Sequence, residues 1–169
     1  MDTDTWITRL VETHEKSLCR YAYRLADDEA MAKDAVQETF LRLCKADRRK
    51  IDGHEAAWLF RVCRSRVFDL KKKEKPMQQM SPEYVDRHAS SGEAAVPNAL
   101  QDRLQRVTDL MSRLPERQRE VIQLKFQQEM SYREISDVLG ISESNVGFLI
   151  HTGIKTLRER IHLLSGVQS

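Results

Sequence analysis

Leu114-Pro115-Glu116-Arg117-Gln118-Arg119, followed by Ser131-Tyr132-Arg133-Glu134-Ile135 and Gly140-Ile141-Ser142-Glu143-Ser144-Asn145-Val146, decides the fold of the second half of this chain. It reads as helix, turn, short helix, tight turn and long helix. Ser131 and Glu134 stand at capping-box spacing, so each can satisfy a free amide at the start of the short helix. Ile135, Val138 and Leu139 repeat three and four apart and give that helix one apolar face. Gly140 can adopt the left-handed conformation that ends a helix cheaply, and Ser142 is a good N-cap for the next one. Two helices joined by a glycine-bearing turn of about 3–4 residues form the helix-turn-helix pattern of major-groove readers. A helical hairpin inside a bundle has the same local pattern, so the rest of the chain must discriminate.

Upstream of this stretch the character of the chain changes. Lys75-Pro76, Ser81-Pro82, Ser90-Ser91-Gly92 and Val96-Pro97 punctuate a segment with little apolar period, the signature of a flexible linker. Before it, Ile7, Leu10, Val11, His14, Leu18, Tyr21 and Leu25 fall at helical spacing. Asp27 and Asp28 can cap a second helix that turns Ala32, Ala35, Val36, Phe40 and Leu43 inward. The polar, glycine-broken stretch from Lys45 to Gly53 reads as a loop. A third helix is expected from His54 to Lys73, burying Leu59, Val62, Cys63, Val67 and Leu70. The expected architecture is all-α. Two small helical domains, 1–74 and 99–169, are joined by a linker over 75–98, with the helix-turn-helix in the second.

The 169 residues leave room for one ordinary domain or two small ones. With 32% charged and 40% hydrophobic residues and six glycines, the composition is that of a mostly helical globular protein. The acidic start Met1-Asp2-Thr3-Asp4 lacks the layout of a secretory signal, and no run approaches the ~20 apolar residues of a membrane span. The expected location is therefore the cytoplasm, without membrane insertion. Cys19, Cys44 and Cys63 form no CxxC and no even set, which argues against a disulfide framework or a zinc site. The five histidines are scattered. No nucleophile–base set, paired carboxylates or glycine-rich nucleotide loop points to an enzyme, and no cofactor, metal or small-molecule substrate is expected.

A net charge of +2 says little, but its distribution says more. Between Leu41 and Lys75, twelve basic residues stand against five acidic ones, a local balance of +7. Clustered positive charge is the footprint of a phosphate-binding surface. Trp58, Phe60 and Phe68, interleaved with it, can stack on bases; Trp58 and Phe60 fit a packed core equally well.

The combination resembles the extracytoplasmic-function (ECF) sigma factors of bacterial RNA polymerase. The resemblance covers nearly the whole chain. It is carried by Asp34-Ala35-Val36-Gln37-Glu38-Thr39-Phe40, by Trp58-Leu59-Phe60-Arg61-Val62, by Leu114-Pro115-Glu116-Arg117-Gln118-Arg119-Glu120-Val121-Ile122 and by the two segments of the helix-turn-helix.

Three surfaces are implied by it. Asp34, Gln37, Glu38 and Leu41 share one side of the second helix, the side that in this family grips the large polymerase subunit. The loop and third helix would take the −10 element as single-stranded DNA, with Arg48, Arg49, Lys50, Trp58, Phe60, Arg61, Arg64, Ser65, Arg66, Lys71, Lys72 and Lys73. The last helices would take the −35 element, with Arg133, Ser142, Ser144, Asn145, His151, Lys155 and Arg158. The final helix departs from the family pattern. Where relatives commonly carry basic residues after the Val146 position, this chain has Gly147, Phe148, Leu149 and Ile150. Either Ser144, Asn145 and His151 read bases here, or Phe148 and Leu149 meet protein. Glycine inside a helix costs about 1 kcal/mol, so Gly147 and Gly153 suggest a close approach to the backbone.

The resemblance therefore implies an alternative sigma factor with core RNA polymerase, promoter DNA and an anti-sigma factor as partners. A sigma-like DNA-binding regulator that does not itself direct initiation is the competing reading, kept open by the apolar final helix.

Overall fold

The computed structural model describes residues 1–78 and 98–165. They form eight α-helices and no strand: α1 (Thr3–Ala26), α2 (Glu29–Lys45), α3 (Arg48–Ile51), α4 (Glu55–Gln78), α5 (Asn98–Ser112), α6 (Glu116–Ile122), α7 (Tyr132–Leu139) and α8 (Glu143–Ser165). Two compact units result. The first holds α1–α4, and the second holds α5, α6 and α8 with the start of α7. The all-α, two-unit expectation is met.

In the first unit α1, α2 and α4 pack against one another in all three pairings. Trp6, Leu10, Leu18 and Leu25 from α1 meet Ala35 and Leu43 from α2 and Leu59, Phe60, Cys63 and Val67 from α4, all buried. The junction between α1 and α2 divides two aspartates by role. Asp27, at φ +53°, ends α1 with its N–H donating to the Tyr23 carbonyl at 2.8 Å. Asp28 starts α2, its carboxylate accepting the Met31 N–H at 3.0 Å. Thr39 is a polar residue inside this core, and its hydroxyl is satisfied by donating to the Ala35 carbonyl at 2.7 Å.

Three boundaries differ from the sequence reading. The stretch expected as a loop contains α3, one turn capped by Asp47, which accepts the Arg49 N–H at 3.0 Å, and anchored by buried Ile51. Four residues are too few to show a helical period, which is why it escapes a pattern search. The inner face of α4 is rotated from the expected one: Phe60 is fully buried, whereas Val62 and Leu70 are half-buried. The helix also continues past Glu74 to Gln78. Most of the expected linker, 79–97, lies outside the described residues.

In the second unit α6 runs on into a single π-helical turn, Gln123–Gln127. Glu129 at φ +53° then reverses the chain, and Met130, 1% exposed, plugs the turn before α7. The capping box is present in full: the Glu134 N–H donates to Ser131 Oγ and the Ser131 N–H to Glu134 Oε1, each at 3.1 Å. Gly140 adopts the left-handed conformation at φ +67° that closes α7. Ser142 Oγ accepts the Asn145 N–H at 3.1 Å and opens α8. Ile135, Val138 and Leu139 are buried as their spacing requires.

Candidate nucleic-acid interface

Helix α4 turns its buried side, Leu59, Phe60, Cys63 and Val67, into the first unit. At 3.6 residues per turn, Trp58, Arg61, Ser65, Phe68 and Lys72 line the opposite side. Arg61, Ser65 and Lys72 are exposed and the two rings half-buried. The Arg64 guanidinium lies over the Phe68 ring, 4.6 Å from its centroid, which places a positive charge beside an aromatic face. Cationic and aromatic groups alternating along about 20 Å of helix are what a single strand needs, since the charges track phosphates and the rings take bases.

The structure removes Phe60 from this surface and engages two of the expected cations, Lys71 and Arg48, within the unit. Phe60 is 0% exposed and packs on Tyr21 with ring centroids 5.0 Å apart, so it is a core residue and cannot take a base. Lys71 points back toward α1, where its ammonium donates to the Leu25 carbonyl at 2.6 Å and satisfies one of the last carbonyls of that helix. Arg48 lies over the Trp6 ring, 5.3 Å from the centroid, and donates to the Met1 carbonyl at 2.9 Å. Arg66 sits on the flank of α4 with its Nε buried and unbonded. Arg49, Lys50 and Lys73 are exposed. Asp47, beside Arg49, has its carboxyl held below the usual range by the backbone N–H it caps.

On α2, Asp34, Gln37 and Leu41 are exposed and Glu38 is half-buried. Leu41, 57% exposed, puts an apolar side chain at the end of this polar stripe. Glu38 is paired with Arg42 at 3.2 Å, a contact one turn away along the same helix.

In the second unit the expected contacts all lie at the surface, on α7, on the turn after it and on α8. Arg133, Ser142, Ser144, Asn145, His151, Lys155 and Arg158 are all exposed. Ser144, His151, Lys155 and Arg158 form one outward stripe of α8. Val146, Ile150 and Gly153 make its buried side. The close approach suggested at Gly153 is real, whereas at Gly147 the neighbour stands at ordinary van der Waals distance; both neighbours belong to the unit itself. A Cβ on Gly153 would lie 2.7 Å from Ile122 Cδ1 of α6, and one on Gly147 would lie 3.4 Å from the Tyr132 ring. Phe148, 63% exposed, stands within the outward stripe and was not among the expected contacts.

The three cysteines are free. Burial pushes the Cys63 thiol up to about 12, so it is held protonated. No group of three or more His, Cys, Asp or Glu side chains suited to a metal occurs among the described residues, and no described helix is long and apolar enough to cross a membrane.

A basic-aromatic helix in one unit and a helix-turn-helix in the other define a two-part DNA-binding protein of transcription. Residues 10–76 match the family Sigma-70 region 2, and residues 104–157 match Sigma-70, region 4. The chain belongs to the ECF RNA polymerase sigma factors, the alternative sigma factors that direct core polymerase to promoters. SigL of Mycobacterium tuberculosis is 32% identical over 161 residues, covering 88% of this chain and 85% of that protein. SigM of Bacillus subtilis is 28% identical over 149 residues, covering 82% and 85%. Among solved structures, CnrH in complex with the cytosolic domain of CnrY covers 96% of this chain and 89% of its own, with a TM-score of 0.59 and 26% identity. RpoE of Bartonella quintana, in complex with the anti-sigma factor NepR, shares the fold at a TM-score of 0.69 and 19% identity, covering 90% of this chain and 94% of its own.

Proposed function

We infer that this sigma factor acts through three separate surfaces, each carried by one or two helices. The outward face of α4 is the observation that carries the reading. Trp58, Arg61, Arg64, Ser65, Lys72 and Lys73, with Arg49, Lys50 and Arg66 beside them, take the −10 element as an opened strand. Stacking worth ~1–3 kcal/mol per base suffices to hold bases already out of the duplex. The open state is thus favoured by binding alone, and the chemistry of RNA synthesis stays with the polymerase.

Asp34, Gln37, Glu38 and Leu41 dock on core polymerase. A charged stripe with one exposed leucine suits a subunit that must bind and leave again, because charge complementarity sets the encounter and a small apolar anchor limits the affinity. The −35 element is read by α8 through Ser144, Asn145 and His151, with Arg133, Ser142, Lys155 and Arg158 on phosphates; serine and asparagine pair with base edges in the major groove. The domain limits follow the same division, with polymerase and −10 binding in 1–74 and −35 binding in 99–169. An anti-sigma factor is a further partner, a reading supported by family membership and by the similarity to CnrH, which is seen bound to a second protein. The setting is the cytoplasm, where core polymerase works.

Multi-round transcription in vitro, with purified core polymerase on a fragmented genomic template, tests the reading. Transcripts with defined starts that require this protein are expected, and their aligned upstream sequences would supply both promoter elements. Stable binding to core without any transcript would favour the sigma-like regulator instead. Absence of binding to core would overturn the docking surface.

A further inference from the structure

The second unit leaves one large apolar side chain where a base-reading residue belongs. Phe148 is 63% exposed in the second turn of α8, flanked in sequence by Val146 and Ile150, which are buried. The helix is therefore held by its other side, and the Phe148 ring contributes little to the core. Ser144, His151 and Lys155, at positions i−4, i+3 and i+7, share its face and are exposed. The next acid on that side is Glu159, eleven residues on and about 16 Å along the axis. The ring thus sits in a polar and cationic stretch suited to a polyanion. Thr152, its other neighbour one turn away, turns its hydroxyl back onto the Phe148 and Leu149 carbonyls at 2.9 and 3.2 Å and already has its donor engaged. Gly147 beside it carries no side chain, so Phe148 is the large exposed group of this turn.

We propose that Phe148 is a specificity-determining residue that reads thymine in the upstream promoter element through the C5-methyl group. The inference rests on the assignment of α8 to the −35 element and names what its apolar turn recognises. The major groove, about 12 Å wide, admits an α-helix, and the thymine methyl is the apolar mark on its base edges. An exposed phenyl ring that meets this methyl removes apolar surface of both partners from water, a non-directional gain that no other natural base offers there. Ser144, Asn145 and His151 supply the polar base contacts that orient the helix, and Lys155 a contact to the backbone. The family's usual basic residue would favour guanine or phosphate at this turn, so the substitution changes the base preferred rather than abolishing reading.

The test uses the holoenzyme formed by the full chain and core polymerase, on the strongest promoter recovered from the genomic template. Each thymine of the −35 element, on either strand, is replaced in turn by deoxyuridine, which lacks only the methyl. At one position complex formation is expected to weaken about fourfold, the value of one buried methyl group. The Phe148→Ala variant is expected to bind the thymine promoter about as weakly and to be indifferent to the replacement. Phe148 is exposed, so this variant keeps the fold, which its circular dichroism and melting temperature verify. A −35 element without thymine, a wild-type complex indifferent to deoxyuridine throughout, or discrimination retained by Phe148→Ala would each overturn the inference. The Asn145→Ala variant separates the two levels. If it alters the base preference while deoxyuridine has no effect, only the role of Phe148 fails; if neither variant alters preference at −35, the assignment of α8 fails with it.

Discussion

Ile122 Cδ1 of α6 occupies the space that a β-carbon on Gly153 of α8 would need, at 2.7 Å from that atom's position. Gln118 Cβ closes the same space from one turn away, at 3.4 Å. The two helices that frame the second unit therefore cross at a point where only glycine fits without a shift. The close crossing is what holds the outward stripe of α8 on a rigid support.

Gly153→Ala is expected to destabilise the second unit by about 1 kcal/mol. Overpacking costs about 1–3 kcal/mol, and the better helix propensity of alanine returns up to about 1 kcal/mol. Ile122 is buried, which limits how its end can swing aside. Ile122→Val deletes the clashing carbon, so the double variant should recover part of the loss. Urea denaturation followed by circular dichroism would show it; equal stabilities of Gly153→Ala and wild type would mean that the crossing relaxes freely.

Adjacent lysines on α4 are expected to behave differently. Lys71→Met removes the charge-assisted bond to the Leu25 carbonyl and should lower stability by about 1–2 kcal/mol. Lys72→Ala, on the exposed face, should change stability by less than about 0.5 kcal/mol. It should instead reduce the salt dependence of promoter-strand binding by about 0.7 in slope, the share of one phosphate contact on a single strand. Thermal melts and a salt titration of binding to a single-stranded −10 oligonucleotide separate the two effects.

Two aromatic residues two positions apart are likewise expected to divide. Phe60→Ala should cost about 3–5 kcal/mol of stability, because it empties a fully buried site in the core. Trp58→Ala should leave most of the stability in place and weaken the open complex by about 1–3 kcal/mol, as for one lost base stack. Permanganate footprinting of the −10 thymines, run beside a denaturation curve, distinguishes them. A Trp58→Ala protein that melts like Phe60→Ala would put Trp58 in the core instead.

Stability should fall at alkaline pH through Cys63. Its thiol is buried and pushed up to about 12, whereas in the unfolded chain it titrates at the ordinary value of about 8.5–9. Below that ordinary value both states hold the proton and the group has no effect. Above it the unfolded state loses a proton that the folded state keeps, so folding is progressively disfavoured as pH rises toward 12. Urea midpoints at pH 7.5 and 10 should differ more for wild type than for Cys63→Ala. Under native conditions at pH 8, a thiol reagent should label exposed Cys44 well before Cys63.

Local signals make the helix-turn-helix legible in the sequence. Ser131 with Glu134, Gly140, and Ser142 act on amides and carbonyls within three or four residues, so their spacing alone specifies the caps that the structure contains. The apolar period of α7 is readable for the same reason. Single-turn α3 and the π turn at Gln123–Gln127 are not legible, since neither is long enough to display a period.

What only the tertiary structure decided is which charged and aromatic residues remain for DNA. The basic cluster of the first unit is plain in the sequence, yet Arg48 and Lys71 find their partners 47 and 46 residues away. Phe60 and Trp58 have the same local credentials, and the rotation of α4 against α1 and α2 buries one fully and leaves the other half-buried. Glycine at position 153 announces a close approach, but its identity as Ile122 required the crossing of α6 and α8. Short-range backbone chemistry is written along the chain, whereas the facing of a side chain depends on the helix packed beside it, and no local pattern carries that information.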